Sequence, residues 1–188
     1  MPKIAEIEET PNPNALKFTL REPLSWGVPH SYENAAEAET EGDELARALF
    51  AIGHVTNVFY VDRWLTVTQD GGADWRELVR KIAVPLRAAP GAGARSAITV
   101  AAARASFEHL SERDQDRLEA IDQLLDEQIR PYLQGDGGDL HILGLDGDRL
   151  VVHYHGACGT CPSSISGTLR GIESLLRTIE PDLEVVAA

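Results

Sequence analysis

The sequence predicts an α+β protein, two small α/β domains joined by a flexible linker. Three observations lead there. The run Ala88-Ala89-Pro90-Gly91-Ala92-Gly93-Ala94-Arg95-Ser96 combines small residues, Gly and Pro with no apolar period, as a linker does. On both sides of it, apolar residues recur at helical spacing in some stretches and crowd into short β-rich runs in others. A length of 188 residues is also enough for two modest cores. The expected division is a first domain over 1–88, a linker over 89–110 and a second domain over 111–188.

In the first domain, Ala15 to Leu20 alternates like a half-buried strand, after a Pro and Asn cluster that must turn. Residues 23–41 show no clean period. Leu45, Ala48, Leu49 and Ile52 share one side of a short helix that Gly53 can end. Val55 to Val61 and Trp64 to Thr68 read as a hairpin turning at Asp62-Arg63. A helix from about Asp74 turns Trp75, Leu78, Val79, Ile82 and Leu86 inward, so helices should cover one face of a sheet. Trp26, Trp64 and Trp75 read as core or interface anchors. Ile98 to Ala105 fits a short strand, a helix lead-in or further linker equally well.

The second domain should run helix, strand, strand, helix, strand. Ser111 and Asp114 offer a capping-box-like start to a helix with Leu118, Ile121, Leu125, Ile129 and Leu133 inward, and Pro131 should kink or shorten its end. Gly135-Asp136-Gly137-Gly138-Asp139 is expected to turn into a strand over Leu140 to Leu145, its glycines as turn formers, Asp136 and Asp139 capping or facing solvent. Asp146-Gly147-Asp148 turns that strand back into Arg149 to His155. After the cysteine segment, a helix presents Ile165, Leu169, Ile172, Leu175, Leu176 and Ile179. Pro181 stops it, and Leu183 to Val186 can add an edge strand.

Bulk properties exclude several classes. Hydrophobic residues at 43% and charged residues at 25% describe an ordinary globular composition, not a disordered one. No apolar run approaches the roughly 20 residues of a membrane span, so no membrane is expected. The opening Met1-Pro2-Lys3-Ile4-Ala5-Glu6 lacks the order of a secretory signal and is too acidic for a transit peptide, which predicts a cytoplasmic protein. The net charge of −13 argues against nucleic acid, and residues 106–188 carry most of it, with 6 basic and 16 acidic side chains. No P-loop or Rossmann fingerprint is present. Acid pairs such as Asp114 and Asp116, or Asp126 and Glu127, read as solvated helix faces.

The chemistry concentrates in Gly156-Ala157-Cys158-Gly159-Thr160-Cys161-Pro162-Ser163-Ser164, which holds both of the chain's cysteines. Two cysteines three positions apart are no secreted disulfide framework, and point to metal ligation or redox exchange. Pro162 suits a first helical position, which puts Cys161 at or beside the N-cap, where unpaired N–H groups and the helix dipole favour a thiolate. Gly159 lets the backbone turn so that both sulfurs point at one site. Ser163, Ser164 and Ser166 read as partners for helix-start N–H groups rather than nucleophiles. A closed zinc or iron-sulfur site usually takes four protein ligands. Either histidines complete the set, with His141, His153 and His155 the candidates, or a second copy supplies its own Cys158 and Cys161 across a two-fold axis.

These residues resemble the NifU-like, or Nfu-type, iron-sulfur scaffold family. The resemblance lies in Leu125-Asp126-Glu127-Gln128-Ile129-Arg130-Pro131, in Gln134 to Asp139, and in Gly156-Ala157-Cys158 to Cys161-Pro162-Ser163-Ser164. Thr10-Pro11-Asn12-Pro13-Asn14-Ala15-Leu16-Lys17-Phe18 and Ala73-Asp74-Trp75 resemble the family's N-terminal module. The resemblance implies a non-catalytic carrier that binds a 4Fe-4S cluster between two protomers and passes it to apo-proteins, with Cys158 and Cys161 as cofactor and metal ligands. It further implies a homodimer when cluster-loaded, upstream cluster donors as partners, and an N-terminal module that recognises targets or donors. The residue count alone leaves 2Fe-2S open as well. Two other readings of the same cysteines are a dithiol-disulfide oxidoreductase and a zinc-clipped structural dimer.

Overall fold

The computed structural model describes residues 3–90, 92, 111–159 and 162–187, with only the backbone described for 162–167. Most of the expected linker, Ile98 to Ala105, Cys161 and the side chains of Ser163, Ser164, Ile165 and Ser166 therefore lie outside the described residues.

The chain's first part runs β1 (Ile4–Glu9), β2 (Ala15–Leu20), β3 (His30–Tyr32), α1 (Ala35–Thr40), α2 (Glu44–Phe50), β4 (Val55–Val61), β5 (Trp64–Gln69) and α3 (Trp75–Ala88). Its five strands form an antiparallel sheet in the order β1-β2-β5-β4-β3. Period-two alternation turns Phe18, Leu20, Val58, Tyr60, Leu65 and Val67 to one face, where Leu45, Leu49, Leu78, Ile82 and Leu86 from the helices close a core. Local chemistry sets the helix starts. Asn34, Asp43 and Asp74 each cap a first turn by accepting from backbone N–H groups. Asp62, with φ of 49°, makes the tight turn between β4 and β5.

The second part runs α4 (Glu112–Gln128), α5 (Arg130–Gly135), β6 (Gly138–Asp146), β7 (Arg149–Gly156), α6 (Pro162–Leu176) and β8 (Glu184–Ala187). Ser111 caps α4 through the N–H of Asp114, as expected of a capping box. The predicted long helix breaks at Ile129, with Pro131 in the first turn of α5. β6 and β7 pair antiparallel, and β8 joins β7 in parallel at the edge. Leu118, Ile121, Leu125, Leu133, Leu140, Leu150, Val152, Ile172 and Leu176 form this part's own core. Arg117 staples α4 to the rest: it donates to Glu180, to Asp148 and to the carbonyl of Gly147 in the β6–β7 turn.

Some expectations fail for identifiable reasons. β1 was not expected, because Ile4 to Glu9 is an edge strand whose outward charges hide its alternation. β3 and α1 occupy the stretch without a clean period; both are short, and Ala38 is the one buried residue of α1. Trp26 is no core anchor, being 58% exposed, whereas Trp75 packs partly buried against the first core. Ile179 is 45% exposed, since α6 ends at Leu176, before Pro181 can stop it.

Candidate metal centre

β7 delivers the cysteine segment. The strand ends at Gly156, whose φ of +66° reverses the chain, and Ala157 donates its N–H to the carbonyl of Gly137 at 3.1 Å. Gly159 closes the turn by donating to the carbonyl of Gly156 at 3.2 Å, and α6 then begins at Pro162, the expected first helical position.

Three glycines from two separate motifs make room for this turn. A Cβ on Gly156 would lie 2.5 Å from the Gly137 carbonyl oxygen, and one on Gly159 would lie 2.7 Å from the Tyr154 oxygen. A Cβ on Gly138 would lie 2.5 Å from the Sγ of Cys158. Gly138 is thus no turn former: it pairs with Gly156 across the strands and leaves the space the thiol occupies. Gly137, with φ of +78°, is the turn former of that motif.

Cys158 is 6% exposed and packs with the second core, beside Tyr154. The Tyr154 hydroxyl is buried without a hydrogen-bond partner among the described residues. Burial raises its pKa, and the charge Cys158 carries as a thiolate raises it further. It is therefore a neutral donor beside the sulfur.

The acids of the Gly135–Asp139 motif divide. Asp136 is exposed, as expected. Asp139 is not solvent-facing but 7% exposed: its Oδ1 accepts from the N–H of Leu140 at 2.8 Å, and Arg130 Nε lies 3.8 Å away. Burial pushes the Asp139 carboxyl above the usual range.

The three histidines gather on the other side of the hairpin. β7 turns Val152 and Tyr154 into the core, so His153 and His155 face the opposite way. His155 lies 5.0 Å from His141 and 4.7 Å from His153, ring centroid to ring centroid. Burial pushes the pKa of His155 down to about 3, helped by the neighbouring His141 and His153. Burial likewise lowers that of His141. No group of three His, Cys, Asp or Glu side chains able to hold a metal ion occurs among the described residues.

The outward face of the first sheet meets this turn. Asn12 donates from Nδ2 to the carbonyl of Ala157 at 3.2 Å, one residue before Cys158. Phe59 stacks on His155, with centroids 6.0 Å apart and planes 10° from parallel. Lys17 reaches the Gly135 carbonyl at 3.3 Å, and Glu33 lies 3.3 Å from His153. The two parts, expected to be joined by a flexible linker, touch beside the cysteine. Sequence reasoning missed Asn12, Phe59, Gly138 and Tyr154 as neighbours of the segment.

Fold and site together define a two-part protein built around a strand-to-helix cysteine turn. The model of the NifU-like domain family matches residues 121–186, and that of the scaffold protein Nfu/NifU N terminal family matches residues 4–89. A human relative, the mitochondrial NFU1 iron-sulfur cluster scaffold homolog, is 33% identical over 96% of this chain and 70% of its own length. Its Drosophila ananassae counterpart is 30% identical over 96% of this chain. The chain belongs to the Nfu/NifU iron-sulfur scaffold family. It spans 62% of the length of the D. ananassae relative. A crystal structure of protein SAV1430 from Staphylococcus aureus overlaps 44% of this chain and 96% of its own, at 24% identity and a TM-score of 0.39. The expectation of a cytoplasmic protein is overturned, because these curated relatives are mitochondrial by name. No helix among the described residues is long and apolar enough to cross a membrane.

Proposed function

We propose that this chain is a non-catalytic carrier that binds a 4Fe-4S cluster between two copies, through Cys158 and Cys161 of each, and delivers it to apo-proteins. The supporting observation is the disposition of the hairpin. Cys158 sits at the strand-to-helix turn, while the imidazoles that were candidates to complete a site within one chain lie on the other face. A set of four sulfurs then needs a second copy. The relatives named as iron-sulfur cluster scaffolds favour the same reading. In this division of labour, residues 111–188 hold the cluster, residues 1–88 recognise donors or recipients, and 89–110 link them. The cluster is cargo, shared by few bonds and released when the pair opens.

The chain's own residues prepare the ligand. Gly138 and Gly159 give the turn its clearance, α6 directs its N-terminal N–H groups toward the segment, and the buried Tyr154 hydroxyl offers a donor near sulfur. Anaerobic reconstitution with iron and sulfide is expected to give broad visible absorbance and about four irons per dimer, in line with cysteine-ligated clusters. Cys158→Ser and Cys161→Ser should each abolish it. One zinc per dimer without a chromophore, or disulfide reduction by an iron-free monomer, would overturn the proposal.

A further inference from the structure

Asn12 stands in the loop between β1 and β2, yet it is only 5% exposed. A buried amide needs partners, and those of Asn12 divide between the two modules. Inside its own module the loop is locked. The Asn12 carbonyl accepts from the N–H of Ala15 and from the Thr10 hydroxyl, both at 2.9 Å, and Asn12 Oδ1 accepts from the N–H of Asn14 at 3.0 Å. Trp75 Nε1 donates to the Pro13 carbonyl at 3.4 Å, and the N–H of Gln69 donates to that of Asn14 at 2.8 Å. Pro11 and Pro13 restrict the backbone on either side of Asn12. From this rigid loop Nδ2 extends to the second module and donates to the Ala157 carbonyl at 3.2 Å.

That bond falls at a sensitive point. Ala157 O and Cys158 N belong to one planar peptide unit, so holding the oxygen fixes the plane from which the Cys158 side chain departs. The preceding peptide is held by the second module itself, through the Ala157 N–H on the Gly137 carbonyl at 3.1 Å. The thiol packs in its own module's core, beside Gly138 and Tyr154, and Asn12 acts on the backbone that carries it.

We propose that Asn12 is a positioning residue for the cysteine turn: through the Ala157 carbonyl, the first module fixes the peptide plane leading into Cys158 and strengthens the chain's hold on its cluster. The second half of this inference rests on the carrier reading above. A ligand is held well when the backbone beneath it is held, as with the outer partners that orient ligands at metal sites. Here one of those partners comes from the module assigned to recognition, so that module also shares in setting ligand geometry.

The test compares the full-length parent with Asn12→Asp, which keeps the acceptor for the Asn14 N–H and replaces the donor to Ala157 with a second acceptor. Asn12→Ser, whose hydroxyl can serve Asn14 but is too short to bridge to Ala157, stands in should Asn12→Asp unfold. In the iron-free chain, amide hydrogen exchange followed by NMR should rise about ten-fold at Ala157 and Gly159, whose N–H groups close the turn, and should hold steady at Ile121 and Leu125 inside α4. A merely structural loss would raise exchange at both places together. In the reconstituted chain, the visible absorbance should decay faster in the presence of EDTA by a similar factor. Turn exchange within two-fold of the parent in a folded variant, or an equal rise in α4, overturns the positioning role. Faster turn exchange with an unchanged cluster half-life overturns the hold on the cluster. Faster turn exchange in a protein whose parent takes up no iron leaves the positioning of the turn standing and overturns the carrier reading.

Discussion

Gly138 offers the most direct test of how the Gly135–Asp139 motif serves the cysteine turn. A methyl group there would lie 2.5 Å from Cys158 Sγ, 2.8 Å from Cys158 Cβ and 2.8 Å from the His155 carbonyl oxygen. Comfortable non-bonded separations are about 3.5–4.0 Å, so Gly138→Ala is roughly 1 Å too close to three atoms at once. None is the end of a flexible side chain: the carbonyl belongs to β7, and the thiol is packed in the core. Overpacking of this kind costs about 1–3 kcal/mol. With a urea dependence of about 1–3 kcal/mol per molar, the unfolding midpoint should fall by roughly 1 M. Relief by moving the sulfur displaces the proposed ligand, so iron after reconstitution should fall as well. Gly135→Ala is the control from the same motif. Gly135 ends α5, and a methyl group added there would meet no heavy atom within 4 Å, so alanine should be neutral or stabilise by about 0.5–1 kcal/mol. Should Gly138→Ala match the parent in both midpoint and iron content, the clearance argument is wrong.

Acid should loosen the histidine cluster. His155 is faced by His141, His153 and Phe59, with Glu33 on His153 and Asp139 near His141. Its folded pKa of about 3 lies below the ordinary value of 6.5, so between those values the unfolded chain binds the extra proton and stability falls as pH drops. Unfolding free energies from urea titrations at pH 8 and pH 5 should differ by up to about 2 kcal/mol from this residue, and His155→Gln should flatten the difference; equal pH dependence in parent and variant would remove His155 as the cause. Asp43 caps α2 through the N–H of Ala46 at 2.9 Å and accepts from the hydroxyls of both Tyr32 and Tyr60. Asp43→Ala removes the acceptor shared by the two hydroxyls, leaving Tyr32 its bond to Glu41, and uncaps the helix start, so calorimetry should register a loss of about 1–3 kcal/mol, with Asp43→Asn losing clearly less.

What was legible in the sequence was local. β2, α2, β4, β5 and α3 were readable from period and punctuation, because the caps at Asp43 and Asp74 and the left-handed turn at Asp62 shape backbone within three residues. The turn into α6 was readable for the same reason, Pro162 opening the helix where its missing N–H costs nothing. What stayed hidden depended on distant partners. Asp139 has the composition of a turn residue, and its burial is made tolerable by the Leu140 N–H and by Arg130, folded back across the α4–α5 break. The three histidines alternate as on any amphipathic strand, and nothing local says that Phe59 will lie over them.

One signal of the docked arrangement was nevertheless present, in what β4 and β5 lack. A sheet covered by helices on one face only should alternate apolar and polar along each strand, as β2 does around Lys17 and Thr19. β4 instead reads Val58-Phe59-Tyr60-Val61 without interruption, and β5 alternates apolar residues with threonine rather than with charge. Strands buried on both faces have this composition. Phe59 at 0% exposure is the consequence: with no helix among the described residues on its side of the sheet, it takes another surface, and the hairpin end bearing Gly156 supplies one. An uncovered Phe59 beside Thr66 and Thr68 would be an apolar patch ready for a protein partner.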